Sequence, residues 1–302
     1  MANAREVKLR IRSVKNIAQV TRALQAVSAS RVRKAMEAVE GTRPYATKAW
    51  QVLRHIAGQP GRNSLHPLLA ARDEVRSVLV VMLSGDRGLA GPYNTNILRF
   101  TQNRFFDMPV PVRYVPVGRK GVELLYRRGA NVMAQFTDVP AEPAFSDVSP
   151  IGRLVVEEFL EGNADEVYLV YTQFESMARQ TPTVKKLLPL EFDTHEGLVR
   201  GEFATPSAHG PAAAYIYEPS QTEILDQIVS RFTGLQVYQA VLESFASEHA
   251  ARMVAMKNAT DNASDLAGAL TLEYNKVRQQ NITNEMLDIA GGAEALAQAS
   301  RG

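Results

Sequence analysis

The chain has 302 residues, 45% hydrophobic and 22% charged, with a net charge of +2. That suits one or two folded domains with a substantial core and excludes a disordered chain. Without cysteine there is no disulfide scaffold, Cys-ligated zinc, iron–sulfur cluster or thiol catalysis. No apolar run approaches the roughly 20 residues of a membrane-spanning helix.

The first segment is basic. Residues 1–57 carry 12 Lys/Arg against 3 Asp/Glu, whereas the rest of the chain is net acidic. A basic amphipathic start can imitate a transit peptide. Here the helical pattern runs unbroken from Val7 past Val39, so no cleavage is expected. The first twelve residues lack the apolar stretch of a secretory signal. Val7, Ile11, Val14, Ile17, Val20, Leu24 and Val27 recur every three or four positions, and Val32, Met36 and Val39 continue with a one-residue slip. This predicts a long amphipathic helix over 1–57, with Pro44 as its first possible kink and Gly58-Gln-Pro-Gly61 as its end.

The middle of the chain, 75–215, reads as alternating strand and helix, and 14 of the 15 prolines fall between Pro60 and Pro219. Strands are expected at Val78–Leu83, Val112–Val117, 131–136 and 167–174, with an antiparallel edge strand at 183–192 and a further candidate at 215–217. Helices are expected at 94–106, 120–128 and 150–161. This alternation predicts a largely parallel α/β sheet. After the first strand comes Ser84-Gly-Asp-Arg-Gly-Leu-Ala-Gly91. A glycine-rich turn there is where nucleotide folds hold their ligand. It fits neither G-x-G-x-x-G nor a Walker loop, however, and Pro92 removes an N–H donor. The remaining readings are a tight turn with Asp86 as a local cap, or a partner-contact loop.

The last segment, 220–296, contains no proline. Ser220 with Glu223 has the spacing of a capping box. Ile228, Leu235, Leu242, His249, Met256, Ala263, Leu270 and Val277 recur every seventh residue. A second row reads Phe232, Tyr238, Phe245, Met253, Ala259, Leu266 and Tyr274. Two rows over this length predict a coiled coil, loosened in the middle by His249, Thr260 and Ala263. The simplest partner is the N-terminal helix, running antiparallel. At 1.5 Å per residue the second helix must then overshoot the first by about 20 Å. The overhang, near 275–295, cannot be covered by this chain and is expected to serve another protein.

Catalytic constellations are thin. Glu157, Glu158 and Glu161 read as a solvated helix face, and His249 after Glu248 lacks the second histidine of a metalloprotease helix. The five histidines show no metal-ligand spacing. The basic first helix invites a nucleic-acid reading, but it has no aromatic before Tyr45 and its charges occupy several faces. No catalytic, cofactor or metal residue is therefore assigned. A coiled-coil adaptor with a ligand-binding α/β domain, and an α/β enzyme with helical arms, are the rival classes.

The segments that remain carry a resemblance. Ala251-Arg-Met-Val-Ala-Met-Lys-Asn-Ala-Thr-Asp-Asn-Ala263, Leu270-Thr-Leu-Glu-Tyr-Asn-Lys-Val-Arg-Gln279 and Ile282-Thr-Asn-Glu-Met-Leu-Asp-Ile-Ala-Gly-Gly-Ala-Glu-Ala-Leu296 closely resemble the C-terminus of F-type ATP synthase gamma subunits. Ile11-Arg-Ser-Val-Lys-Asn16 through Arg43-Pro-Tyr45 resembles that family's first helix, and Asp86-Arg-Gly-Leu-Ala-Gly-Pro-Tyr-Asn94 its central motif. The resemblance spans nearly the whole chain, in order. It implies a long antiparallel coiled coil plus a Rossmann-like α/β domain. It also implies a rotating shaft with no catalytic group or cofactor of its own. The implied partners are the alpha and beta subunits of the head, the epsilon subunit and the c-subunit ring. Nucleic acid is not among them, and membrane contact would come only through the complex, on the cytoplasmic side of a bacterial plasma membrane.

By the same resemblance, Arg278 and Gln279 correspond to a pair that hydrogen-bonds a loop of beta, and Thr283 and Glu285 to neighbouring coupling positions. Met286, Leu287, Ile289 and Leu296 correspond to an apolar tip turning inside the head. Leu24 stands where many members have Met, and Asp86 and Arg87 lie in a loop facing an acidic region of beta. Ala90 replaces a frequent Cys and Pro92-Tyr93 a smaller pair, and the chloroplast dithiol insertion is missing.

Overall fold

Six consecutive apolar residues, Val78–Leu83, form strand β1, and all six are buried. Alternate side chains of a strand face opposite ways, so an unbroken apolar run requires cover on both faces. The computed structural model, which describes residues 4–57, 67–190 and 221–299, shows that cover. These residues divide into two units, 28–252 and 1–27 with 253–302.

In the larger unit β1 is central in a four-stranded sheet of order β2-β1-β3-β4. It pairs in parallel with β2 (Val112–Val117) and β3 (Glu166–Phe174), and β3 pairs antiparallel with the edge strand β4 (Gln180–Leu188). Val78, Val80 and Met82 pack with residues of α2 (Tyr93–Phe105) and α3 (Arg119–Arg127). Leu79, Val81 and Leu83 pack on the other face with α4 (Phe145–Leu160) and α5 (Gln221–Ala299). Gly152 of α4 lets α5 come close, because a Cβ there would stand 2.9 Å from the Cα of Gly234. The sheet is parallel except at its edge, as the alternation of elements predicts.

Two expected boundaries are corrected. The strand at 131–136 reduces to two isolated bridges, Tyr114 with Val132 and Val117 with Phe136. The reason lies in β2. Tyr114 donates its amide to Asn131 O at 2.8 Å and Gly118 to Phe136 O at 2.8 Å, but Pro116 between them has no N–H to give. The helix expected at 150–161 begins five residues earlier, with Pro150 inside it. Asp147 fixes that start by accepting the Ala144 amide at 2.8 Å. Pro150 leaves the Ser146 carbonyl without its helical donor, and the Ser149 hydroxyl bonds it at 3.2 Å. Likewise α1 (Ala4–Ala57) continues through Pro44. The expected cap at Ser220 and the strand at 215–217 lie outside the described residues, as does the end of the edge strand at 191–192.

Within this unit α5 is not half-solvated as a two-stranded seam predicts. From 232 to 250 almost every residue is buried or half-buried. Ser247 donates to Thr172 O at 2.9 Å, Tyr93 meets the Ser244 hydroxyl at 2.9 Å, and Tyr238 donates to Pro143 O at 3.0 Å. On another side, Gln239 reaches Thr42 of α1 at 3.3 Å. The ammonium of Lys185 in β4 is also buried here, within electrostatic reach of Glu243.

The smaller unit is an antiparallel pair, formed by the start of α1 and the second half of α5. Thr21 and Thr260 fix its register, their hydroxyls 2.6 Å apart in a buried contact. Counting outward from that contact brings Ala18 level with Ala263, Val14 with Ala267, Ile11 with Leu270 and Val7 with Tyr274. All eight are buried or half-buried, in alternating steps of four and three. The expected rows are corrected accordingly. Ile17, Val20 and Val27 are 51, 60 and 49% exposed and Leu266 is 51% exposed, while Ala18, Thr21, Thr260 and Ala267 take their places. Strict heptad spacing from Val7 and Val14 leads to Thr21, not to the bulkier Val20. His249, Thr260 and Ala263 do not loosen the packing, for all three are under 10% exposed.

Candidate partner-binding surfaces

The loop after β1 is built from inside the larger unit. Ser84 donates its amide to Val117 O at 2.8 Å, and its hydroxyl accepts the Gly121 amide at 2.8 Å. The Gly85 amide goes to Asn94 Oδ1 at 2.9 Å. Asp86 caps not its own turn but α3, accepting the Arg119 amide at 2.8 Å. The left-handed backbone falls on Leu89 (φ 62°) and Gly91 (φ 56°). Gly85 is required for another reason: a Cβ there would lie 2.7 Å from the Glu248 carboxyl carbon. Leu89 and Arg87 are exposed.

Beneath the loop, α5 presents Glu248, His249 and Arg252, all under 10% exposed. Arg252 donates to Glu248, to Gly88 O at 3.2 Å and to His249 Nδ1 at 3.0 Å. The loop therefore turns carbonyls toward a guanidinium, the reverse of a phosphate cradle, whose N–H groups face the ligand. Because Nδ1 accepts, the neutral ring carries its proton on Nε2. Burial first, then the Arg252 and Arg31 guanidinium groups, push His249 down to about 4. Burial raises the Glu248 carboxyl above its ordinary range although Arg252 opposes it. Glu248 and Arg252 were not paired from the sequence, although their i, i+4 spacing on one helix is a signal for such a pair.

In the smaller unit the last half-buried residue of α5 is Val277, and every described residue from 278 to 293 is exposed. From Val277 to the helix end at Ala299 is roughly 30 Å of helix, somewhat more than the overhang expected from length alone. Arg278, Ile282, Glu285 and Ile289 share one stripe of this surface. Gln279, Thr283, Met286 and Leu287 lie on the adjoining arc, since successive residues turn about 100°. Thr283 spends its hydroxyl on Gln279 O at 2.9 Å. The surface mixes polar groups with large apolar ones: Met286, Leu287 and Ile289 are 61, 63 and 73% exposed. Leu24 is half-buried on α1 in the same unit, and the side chain of Leu296 lies outside the described residues. The expected contact residues thus fall into two groups, Asp86 and Arg87 in the larger unit and the others in the smaller. Among the described residues no helix is long and apolar enough to cross a membrane, and no cluster of His, Asp and Glu is arranged to hold a metal.

Comparison with known proteins bears on the whole chain. The family profile described as ATP synthase matches residues 3–296. The ATP synthase gamma chain of Dehalococcoides mccartyi (strain CBDB1) is 43% identical over 298 residues, covering 98% of this chain and 100% of the relative. That of Roseiflexus sp. (strain RS-1) is 43% identical over 301 residues, covering 99% and 100%. Among solved structures, a chain of the Euglena gracilis mitochondrial ATP synthase in rotational state 3 superposes with a TM-score of 0.68 at 20% identity, covering 99% of this chain and 96% of that one. A chain of the Tetrahymena thermophila central stalk and c-ring gives 0.59 at 20% identity, over 80% and 99%. With relatives matched end to end and a fold shared along the same length, this chain belongs to the family of ATP synthase gamma chains.

Proposed function

We propose that the chain is the rotating central stalk of an F-type ATP synthase, coupling ion flow through a membrane ring to ATP synthesis or hydrolysis in the alpha/beta head. The observation that carries this is the bare end of α5: sixteen exposed residues from 278 to 293, rich in apolar side chains, beyond the reach of α1. Such a surface is costly in water and is relieved by a sleeve supplied by other subunits. Apolar contact is non-directional, so Met286 and Leu287 can turn in that sleeve without locking at one angle. Arg278 and Gln279 supply directional bonds to a beta subunit. Charge-assisted bonds of about 1.5–3 kcal/mol are strong enough to gate a step and weak enough to break each turn. Thr283 and Glu285 lie beside that pair, and Leu24 adds a contact from α1. The loop that Asp86 anchors faces an acidic region of beta, which Arg87 meets. The α/β unit sits with the epsilon subunit on the c-subunit ring, so the chain is peripheral to a bacterial plasma membrane, on its cytoplasmic side. Its own work is mechanical: different contacts at each angle shift the conformational equilibria of beta, where the catalysis occurs.

The test is to assemble the matching alpha and beta subunits with and without this chain and measure co-elution and ATP turnover. A stable complex with raised turnover is expected, and Arg278→Ala should lower turnover without preventing assembly. No complex and no stimulation would reject the stalk reading; unchanged turnover in Arg278→Ala would reject only the assignment of that residue.

A further inference from the structure

A cleft of about 310 Å³ opens beside the loop after β1, wholly within the larger unit. Arg31 of α1, Arg87 of the loop, Arg119 at the start of α3 and Arg252 of α5 all line it. Its carboxylates are already engaged. Asp138 pairs with Arg119 at 2.5 Å, Glu248 pairs with Arg252, and Asp86 accepts the amides of Arg119 and Asp138. Among the described residues, the guanidinium groups of Arg31 and Arg87 have no such partner.

His249 adds a second, independent observation. The residue is 94% buried and lines the cleft, and its Nδ1 is occupied by Arg252. Its remaining Nε2–H has no acceptor among the described residues. Arg31 stands close enough to influence both Glu248 and His249. The groups left over in the cleft are therefore all donors, two of them cationic. A tetrahedral oxyanion is the ligand that accepts from several donors at once and matches a guanidinium in pairs. Asp138 and Glu248 are each paired with an arginine, and the four guanidinium groups outnumber the three carboxylates, so the cleft keeps a net positive charge.

We propose that this cleft is a phosphate-binding site, with Arg31, Arg87 and the Nε2–H of His249 as the groups that hold the anion. The anion is inorganic phosphate or the terminal phosphate of a nucleotide, whose oxygens make the same bonds. Neither depends on the chain's role as a stalk, because the site is complete within one unit of this chain. Its occupancy would add negative charge beside Arg87, the residue proposed to meet an acidic partner, and so weaken that contact.

The test uses the full chain alone in a phosphate-free buffer, titrated calorimetrically with inorganic phosphate and, in a separate arm, with ADP. One saturable phosphate per chain is expected, with binding weakened about tenfold by Arg31→Gln and by Arg87→Gln, as loss of one charge-assisted bond implies. Arg153→Gln, an exposed change on α4, should bind as the wild type does. ADP that binds more tightly than phosphate and displaces it would identify the nucleotide as the source; ADP that does not compete would identify free phosphate. Arg87 lies on an exposed loop, so its variant keeps the test valid should Arg31→Gln fail to fold. No saturable binding in the wild type, or binding as tight as the wild type's in both arginine variants, would overturn the proposal.

Discussion

Acid should weaken the larger unit through one histidine. His249 is buried against Arg252, with Arg31 nearby, and is held down at about 4 against an ordinary 6.5. A group whose folded value is depressed stabilises the fold above its unfolded value and loses that contribution as pH falls through the folded one. The window is therefore pH 6.5 down to about 4. One pH unit over which the unfolded chain holds one more proton costs about 1.4 kcal/mol. Between pH 7.5 and 4.5 the ring should accordingly remove about 2.5 kcal/mol of stability. The measurement is urea unfolding of wild type and His249→Gln at both pH values. Glutamine keeps an acceptor for Arg252 but does not titrate. Other acids titrate in both proteins, so the decisive quantity is the difference between their two losses. A wild-type loss larger by about 2 kcal/mol supports the reasoning, and equal losses refute it.

The remaining predictions concern packing and buried polar groups. Gly152→Ala places a Cβ 2.9 Å from Gly234 Cα and should cost about 1–3 kcal/mol in urea unfolding, whereas Gly88→Ala, with open space around it, should change little. Thr21→Val and Thr260→Val should each cost about 1 kcal/mol, and the double variant less than their sum. Strict additivity would mean that the 2.6 Å contact contributes nothing. Burial holds Lys185 down at about 7 against 10.5, with Glu243 opposing, so this lysine should add stability as pH rises from 7 toward 10.5. Lys185→Met should lack that rise, by about 2 kcal/mol between pH 7.5 and 9.5.

The parts of the fold that were legible in the sequence are those decided by one element alone. Val78–Leu83 is apolar on both faces and could only be an interior strand. The strand at 131–136 depended on a donor that Pro116 lacks, on a different segment. The start of α4 was hidden by Pro150, whose freed carbonyl is satisfied by Ser149. The seam shows the limit most plainly: Val20 is the better apolar residue, yet Thr21 is inside because it meets Thr260. The burial of α5 on nearly every side from 232 to 250 came from adding sheet contacts to a helix pair, which a heptad pattern does not record.

In the candidate sites the same division holds. Glu248 and Arg252 sit four residues apart, a spacing visible in the sequence though not used there, and the target of Arg252 at Gly88 lies 164 positions away. Arg31 completes the cleft only because α1 packs beside α5. Arg278 and Gln279 were marked by resemblance alone. On an exposed helix their spacing does not distinguish them from Lys276 or Asn281, since what singles them out belongs to a partner.

The proposed stalk turns inside an alpha/beta head that carries out the catalysis. Because this chain has no cysteine, a single Asp107→Cys in the exposed turn after α2 accepts a bead at one defined place. With the alpha/beta head fixed to glass and ATP supplied, one-way, stepwise rotation of the bead is expected. A bead that only fluctuates about a fixed angle while the same head hydrolyses ATP would contradict it.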